Sequence, residues 1–282
     1  MGATHSQTVS KNFWIFILLT YAISWLFWVP LALSGQDVNG TTLLIPFALG
    51  GFGPSVAGII MVYRNKDKKE RRDFWKRAID FKRISTKWYL FIFLVFPILY
   101  VILFSFNSLL GNPLPQFERL SQIAANPLLL IGIVITGILT GPLSEELGWR
   151  GYALDQLQTR WSPFAASLVL APFWWVWHLP LFFVRGTTQY KWGVGTPDFW
   201  YFLIAIVPLT IMLTWVYNHN RRSILAAILL HFMYNFSLGM VFPLSQNTNL
   251  MHVIIMYFIA IGLVATGSQV SNRVQPGLES QQ

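Results

Sequence analysis

Charge is scarce in this sequence. Asp, Glu, Lys and Arg make up 11% of its 282 residues, against about 25% in soluble domains. So few charges cannot coat a water-soluble particle of this size, and lipid becomes the expected solvent for much of the surface. Cysteine is absent, which excludes disulfides and thiolate chemistry and says little about compartment. No HExxH motif is present, so the arrangement that puts two zinc ligands on one helical face is missing. No strong internal repeat is visible, which weighs against many secondary transporters. A removable leader is not expected either. Ala32-Leu33-Ser34 resembles a cleavage site, but the only basic residue ahead of it is Lys11. The apolar run from Phe13 also exceeds the usual h-region of about 7–15 residues.

What the chain has in abundance is apolar surface: 54% hydrophobic residues and 16% aromatic ones, with 13 Trp. A membrane helix needs about 20 mostly apolar residues. The runs 13–34, 42–63, 87–110, 127–143 (continuing as a helix to 159), 163–184, 199–217, 223–241 and 250–267 meet that need. The expected fold is all-α, a polytopic transmembrane helical bundle of about eight spans. Residues 1–12 form an N-terminal tail, 13–267 the transmembrane domain with a motif core at 127–241, and 268–282 a polar C-terminal tail. Asn126-Pro127 and Ser162-Pro163 each pair a helix-capping residue with proline at the first helical position, and Ser223 can cap the seventh span.

Basic residues set the orientation, because they accumulate on the cytoplasmic side. Eleven of the 20 lie in one loop, Arg64–Lys87. With both termini cytoplasmic, 17 basic residues fall inside and only Arg119, Arg185 and Lys191 outside. A basic loop between two apolar runs points to anionic lipid rather than nucleic acid. Residues 70–83 read as an interfacial helix with Phe74, Trp75, Ala78 and Ile79 on its apolar face.

Ionisable groups within membrane helices are costly and suggest function. Here they are few: Glu145, Glu146 and Arg150 at or beyond the inner part of the fourth span, His178 in the fifth and His231 in the seventh. His5, His219 and His252 fall in a tail or near helix ends. If the fourth and fifth spans form a hairpin turning near Trp161-Ser162, Glu145 and His178 each lie about 16 residues from the turn. At about 1.5 Å per residue both sit roughly 24 Å along, facing each other. Glu146 and Arg150 are four apart and can pair on one face, which leaves Glu145 for a cavity. Trp174 with His178, and His231 with Asn235, share the same spacing. Each group alone has a structural reading as an ion pair or a packing residue. Together they bring a carboxylate, two imidazoles and an amide near one depth on three helices.

At these residues the chain resembles the CAAX-protease and bacteriocin-processing (CPBP, Abi) intramembrane proteases. Their pattern is EExxxR, FxxxH, then HxxxN or HxxxD. This sequence reads Glu145-Glu146-Leu-Gly-Trp-Arg150, Trp174-Val-Trp-His178 and His231-Phe-Met-Tyr-Asn235. The departure is Trp174 where the pattern has Phe. The resemblance implies an intramembrane endopeptidase. In it Glu145 and His178 activate a water, His231 and Asn235 stabilise the oxyanion, and Glu146, Arg150 and Trp174 support the site. It also implies a membrane-associated peptide or protein substrate at the cytoplasmic side of the cell membrane. The cofactor is none or a divalent metal such as zinc, held if present by Glu145, His178 and His231. A non-catalytic toxin-immunity protein and a transporter or proton relay remain as alternatives.

Overall fold

The computed structural model describes residues 2–39, 42–241 and 246–266. Among these the chain is helical and contains no strand. Lipid enforces this, since backbone N–H and C=O groups without water must pair within their own segment. The helices are α1 (Gly2–Ser34), α2 (Leu44–Gly51), α3 (Gly53–Asn65), α4 (Lys68–Ile79), α5 (Thr86–Leu109), α6 (Glu118–Ala125) and α7 (Leu129–Leu139). They continue as α8 (Pro142–Gly148), α9 (Leu154–Gln158), α10 (Pro163–Trp177), α11 (Thr188–Trp192), α12 (Pro197–His219), α13 (Ile224–Asn235) and α14 (Gln246–Thr266). Trp149–Ala153 and Phe236–Val241 are π-helical links, and Leu179–Phe183 is a 3₁₀ turn.

Among the described residues six stretches are long and apolar enough to cross a bilayer: Lys11–Ser34, Thr86–Leu109, Leu129–Gln158, Pro163–Phe183, Pro197–His219 and Thr248–Ala265. The expected span at 42–63 is the pair α2 and α3, bent by 44°, and makes a seventh if taken as one. The expected span at 223–241 is the shorter apolar helix Ile224–Leu238. Its first part, α13, is buried along most of its length, so neighbouring helices rather than lipid surround it. The segment expected as an N-terminal tail is helical from Gly2 as part of α1. The polar tail 268–282 lies outside the described residues.

Local chemistry explains several boundaries. The Ser162 and Ser223 hydroxyls accept from the Ala165 and Ala226 N–H groups, at 3.2 Å each. Asn126 does not act this way. Pro127 and Leu128 form a turn first, and α7 begins at Leu129 with no side-chain cap. The long fourth helix breaks where glycine meets proline. Gly141 takes φ −141° and ψ −89°, outside the helical region, and Pro142 restarts the helix. The π link follows directly after α8, so the glutamates sit on a short segment between two irregularities.

Small residues press α8 against α3. A Cβ on Gly148 would stand 2.1 Å from the Pro54 carbonyl oxygen, and one on Gly58 would stand 2.8 Å from the Gly148 Cα. Backbones approach this closely only where side chains are missing. Ser55 Oγ, on α3, donates to the Leu143 carbonyl at 2.9 Å. On the other side, α1 grips α10 and its C-terminal end through Tyr21 Oη to Phe173 O (2.8 Å), Trp25 Nε1 to Trp177 O (3.1 Å) and Trp177 Nε1 to Ser24 Oγ (2.6 Å).

Helix α4 differs from its expected pose. It carries a capping box, Asp67 with Glu70. Phe74 and Ala78 are buried in the protein, Trp75 is half-buried and Ile79 is exposed. Phe74 fills the space above Gly151, where a Cβ would come within 2.9 Å of its ring. Arg77 shares that inward face and needs an acidic partner there. It donates to Asp155 at 3.0 Å and to Tyr217 at 2.5 Å. Asp155 in turn binds Arg77, Tyr217 and Arg222. Asp155 and then Tyr217 raise the Arg222 guanidinium above its ordinary pKa, outweighing its burial.

Candidate active site

Glu145 and Glu146 leave α8 about 100° apart, and they go to different partners. Glu145 Oε2 accepts from the Trp174 indole N–H at 2.6 Å. Glu146 Oε1 accepts from Arg150 Nη1 at 2.9 Å and faces His231 Nδ1 at 2.7 Å. All four ionisable groups, Glu145, Glu146, Arg150 and His231, are buried. The partition of the glutamates into an anchor and a second, separately held carboxylate is present in the geometry. The role of Glu146 is wider than an ion pair on one helix, since it also ties α8 to α13.

Trp174 stands at the centre. Besides its bond to Glu145, its ring lies beneath the Arg150 guanidinium, 4.4 Å from Cζ to the ring centroid. The His231 ring meets it edge-on, with centroids 5.3 Å apart and planes at 82°. Its backbone carbonyl lies 2.8 Å from His178 Nδ1. Thus Glu145, His178 and His231, from three helical segments, converge on one residue. Arg150 Nε and Nη2 have no hydrogen-bond partner among the described residues. A cation over the indole face compensates part of that loss.

The hydrogen bonds fix the imidazole tautomers. A carbonyl oxygen only accepts, so His178 Nδ1 carries the proton and Nε2 keeps its lone pair. His231 Nδ1 donates to the Glu146 carboxylate by the same logic, which again leaves Nε2 as the nitrogen open to chemistry. His178 is further held by ring contacts with Trp177 (4.6 Å) and Phe202 (5.3 Å). Asn235, half-buried at the end of α13, lies against the helix break. A Cβ on Gly141 would come 3.0 Å from its Nδ2. Glycine at this break therefore makes room for the amide.

No three His, Asp or Glu side chains among the described residues are grouped to hold an ion. One histidine escaped sequence reading. His252, expected near a helix end, lies several residues into α14 and is buried, stacked on Tyr100 at 5.5 Å and close to Tyr234 at 5.9 Å. It belongs to no spaced motif, and no signal in the sequence marks its burial.

Two similarities bear on this site. Residues 127–237 match the family model described as type II CAAX prenyl endopeptidase, Rce1-like, and this range contains every residue of the three motifs. The chain is also 28% identical over 258 residues to CAAX prenyl protease 2 of Methanococcus maripaludis, covering 89% of this chain and 92% of that protein. The resemblance carried by the motifs is therefore borne out: the chain is similar to a CAAX prenyl protease over most of its length and carries several membrane-length helices.

Proposed function

We propose that the protein is an intramembrane endopeptidase in which Glu145 and His178 activate a water at the cytoplasmic side of the cell membrane. The observation that carries this reading is the convergence of Glu145, His178 and His231 on Trp174, inside the segment that matches the endopeptidase family. Glu145 uses Oε2 for the indole, and no donor among the described residues reaches Oε1. In this reading Oε1 and His178 Nε2 are the two acceptors for the hydrogens of one water. The water oxygen bonds to the peptide carbonyl carbon as its proton passes to this pair. His231, held through Nδ1 by Glu146, and Asn235 stabilise the developing oxyanion. The carbon–nitrogen bond then breaks, and the proton held by Glu145 and His178 goes to the leaving amine. No step requires an additional redox partner.

The termini and the basic loop face the cytoplasm in this reading, as the distribution of basic residues favours. The substrate class follows from the relatives: a membrane-associated peptide whose C-terminal C-a-a-X sequence carries a prenyl chain. In liposomes, the protein cleaves a fluorogenic farnesylated C-a-a-X peptide and leaves the unprenylated peptide largely intact, with fragments identified by mass. If the farnesylated peptide survives prolonged incubation with folded protein, the assignment of substrate class is wrong.

A further inference from the structure

The Trp174 ring nitrogen is the one donor among the described residues that holds Glu145. A glutamate side chain has three rotatable bonds, and a water-activating carboxylate must present one oxygen in a fixed direction. Glu145 emerges near the start of a short helix whose preceding residue pair, Gly141-Pro142, breaks the helical path. No donor on its own helix reaches the carboxylate among the described residues. The 2.6 Å bond from Trp174 Nε1 to Oε2 supplies a restraint from α10. It fixes one oxygen and leaves the other for water.

The same indole serves the second glutamate indirectly. Arg150 lies over its face at 4.4 Å while donating to Glu146. The carbonyl of the same residue sets the His178 tautomer. A phenylalanine in this place keeps a ring for Arg150 and a carbonyl for His178, but it has no N–H. The bond to Glu145 is the contribution that only tryptophan makes here.

We infer that Trp174 is a positioning residue for the reaction, acting through its indole N–H to aim the Glu145 carboxylate at the water. This rests on the water-activating role of Glu145 given above. The two ideas fail in different ways, which the test uses.

The experiment compares the full-length protein in liposomes with three variants, using the farnesylated fluorogenic peptide as probe. The variants are Glu145→Gln, Trp174→Phe, and position 174 replaced by 3-benzothienylalanine. The last has the shape of tryptophan with sulfur where the N–H was. A hydrogen bond to a charged group contributes enough for about a tenfold effect or more. The expected result is a kcat lowered about tenfold in both the Phe and benzothienyl variants, with KM within about twofold of the parent. A merely structural tryptophan would give a benzothienyl variant with parental kcat, and that outcome overturns the inference. The Phe variant decides if the benzothienyl protein does not fold: undiminished kcat in Trp174→Phe also overturns it. If Glu145→Gln retains the parental rate, the catalytic reading falls and takes the inference with it. If Glu145→Gln is inactive while both position-174 variants run at full rate, only the inference falls.

Discussion

Asp155 and Glu146 lie one after the other along the same broken helix, both withdrawn from water, yet their surroundings are built differently. Asp155 uses both oxygens. Tyr217 and Arg222 bind Oδ1, and Arg77 and Arg222 bind Oδ2. It joins α4, α9, α12 and the start of α13 into one knot. The Glu146 cluster is left incomplete. Oε1 serves Arg150 and His231 together, while Oε2 and two Arg150 nitrogens have no hydrogen-bond partner among the described residues. Buried polar groups without partners are rare, and each calls for an explanation. The contrast separates an ionic cluster that fastens helices from one that leaves polar atoms without partners among the described residues, the capacity on which the proposed mechanism draws.

Breaking each cluster sharpens the distinction. Glu146→Ala strands the fully buried Arg150 and removes the partner of His231. It should cost about 3–5 kcal/mol of stability and abolish turnover, read by thermal unfolding in detergent and by peptide cleavage. Asp155→Asn weakens the fastening cluster and should lower stability by about 2 kcal/mol, while turnover per folded molecule stays near parental. Loss of turnover in a folded Asp155→Asn protein would break the comparison, since it would give the knot a part in the reaction. Arg222→Ala should show the smallest effect, because its side chain is 38% exposed. A half-exposed ion pair contributes about 0.5 kcal/mol after screening, to be seen as a small shift in the unfolding midpoint.

The fold was largely legible as a set of apolar runs, since length and hydropathy reflect the thickness of the bilayer. Interruptions were harder to place. The break at Gly141-Pro142 falls inside a run expected to continue as one helix, and the 44° bend between α2 and α3 hides in a run that is apolar throughout. The π link at Trp149–Ala153 likewise has no composition of its own. The face of α4 was misread for a physical reason. Apolar residues beside lysines fit a lipid interface and a protein interface equally well, and only the partner of Arg77 distinguishes them.

The candidate site shows the same limit at finer scale. Spacing of four along a helix exposed Glu146 with Arg150, because that relation is internal to one helix. The bonds from Trp174 to Glu145 and from His231 to Glu146 cross between helices. They depend on how α8, α10 and α13 rotate against each other, which the close contact of Gly148 with α3 helps to set. Sequence spacing carries no record of that rotation.

The most direct test of the account is Glu145→Gln in liposomes with the farnesylated peptide. The substitution keeps the shape of the side chain and an oxygen for the indole N–H, and it removes the carboxylate that takes the proton. The account predicts a protein that inserts and unfolds thermally like the parent but cleaves at least about a thousandfold more slowly. Cleavage at the parental rate by that variant would contradict it.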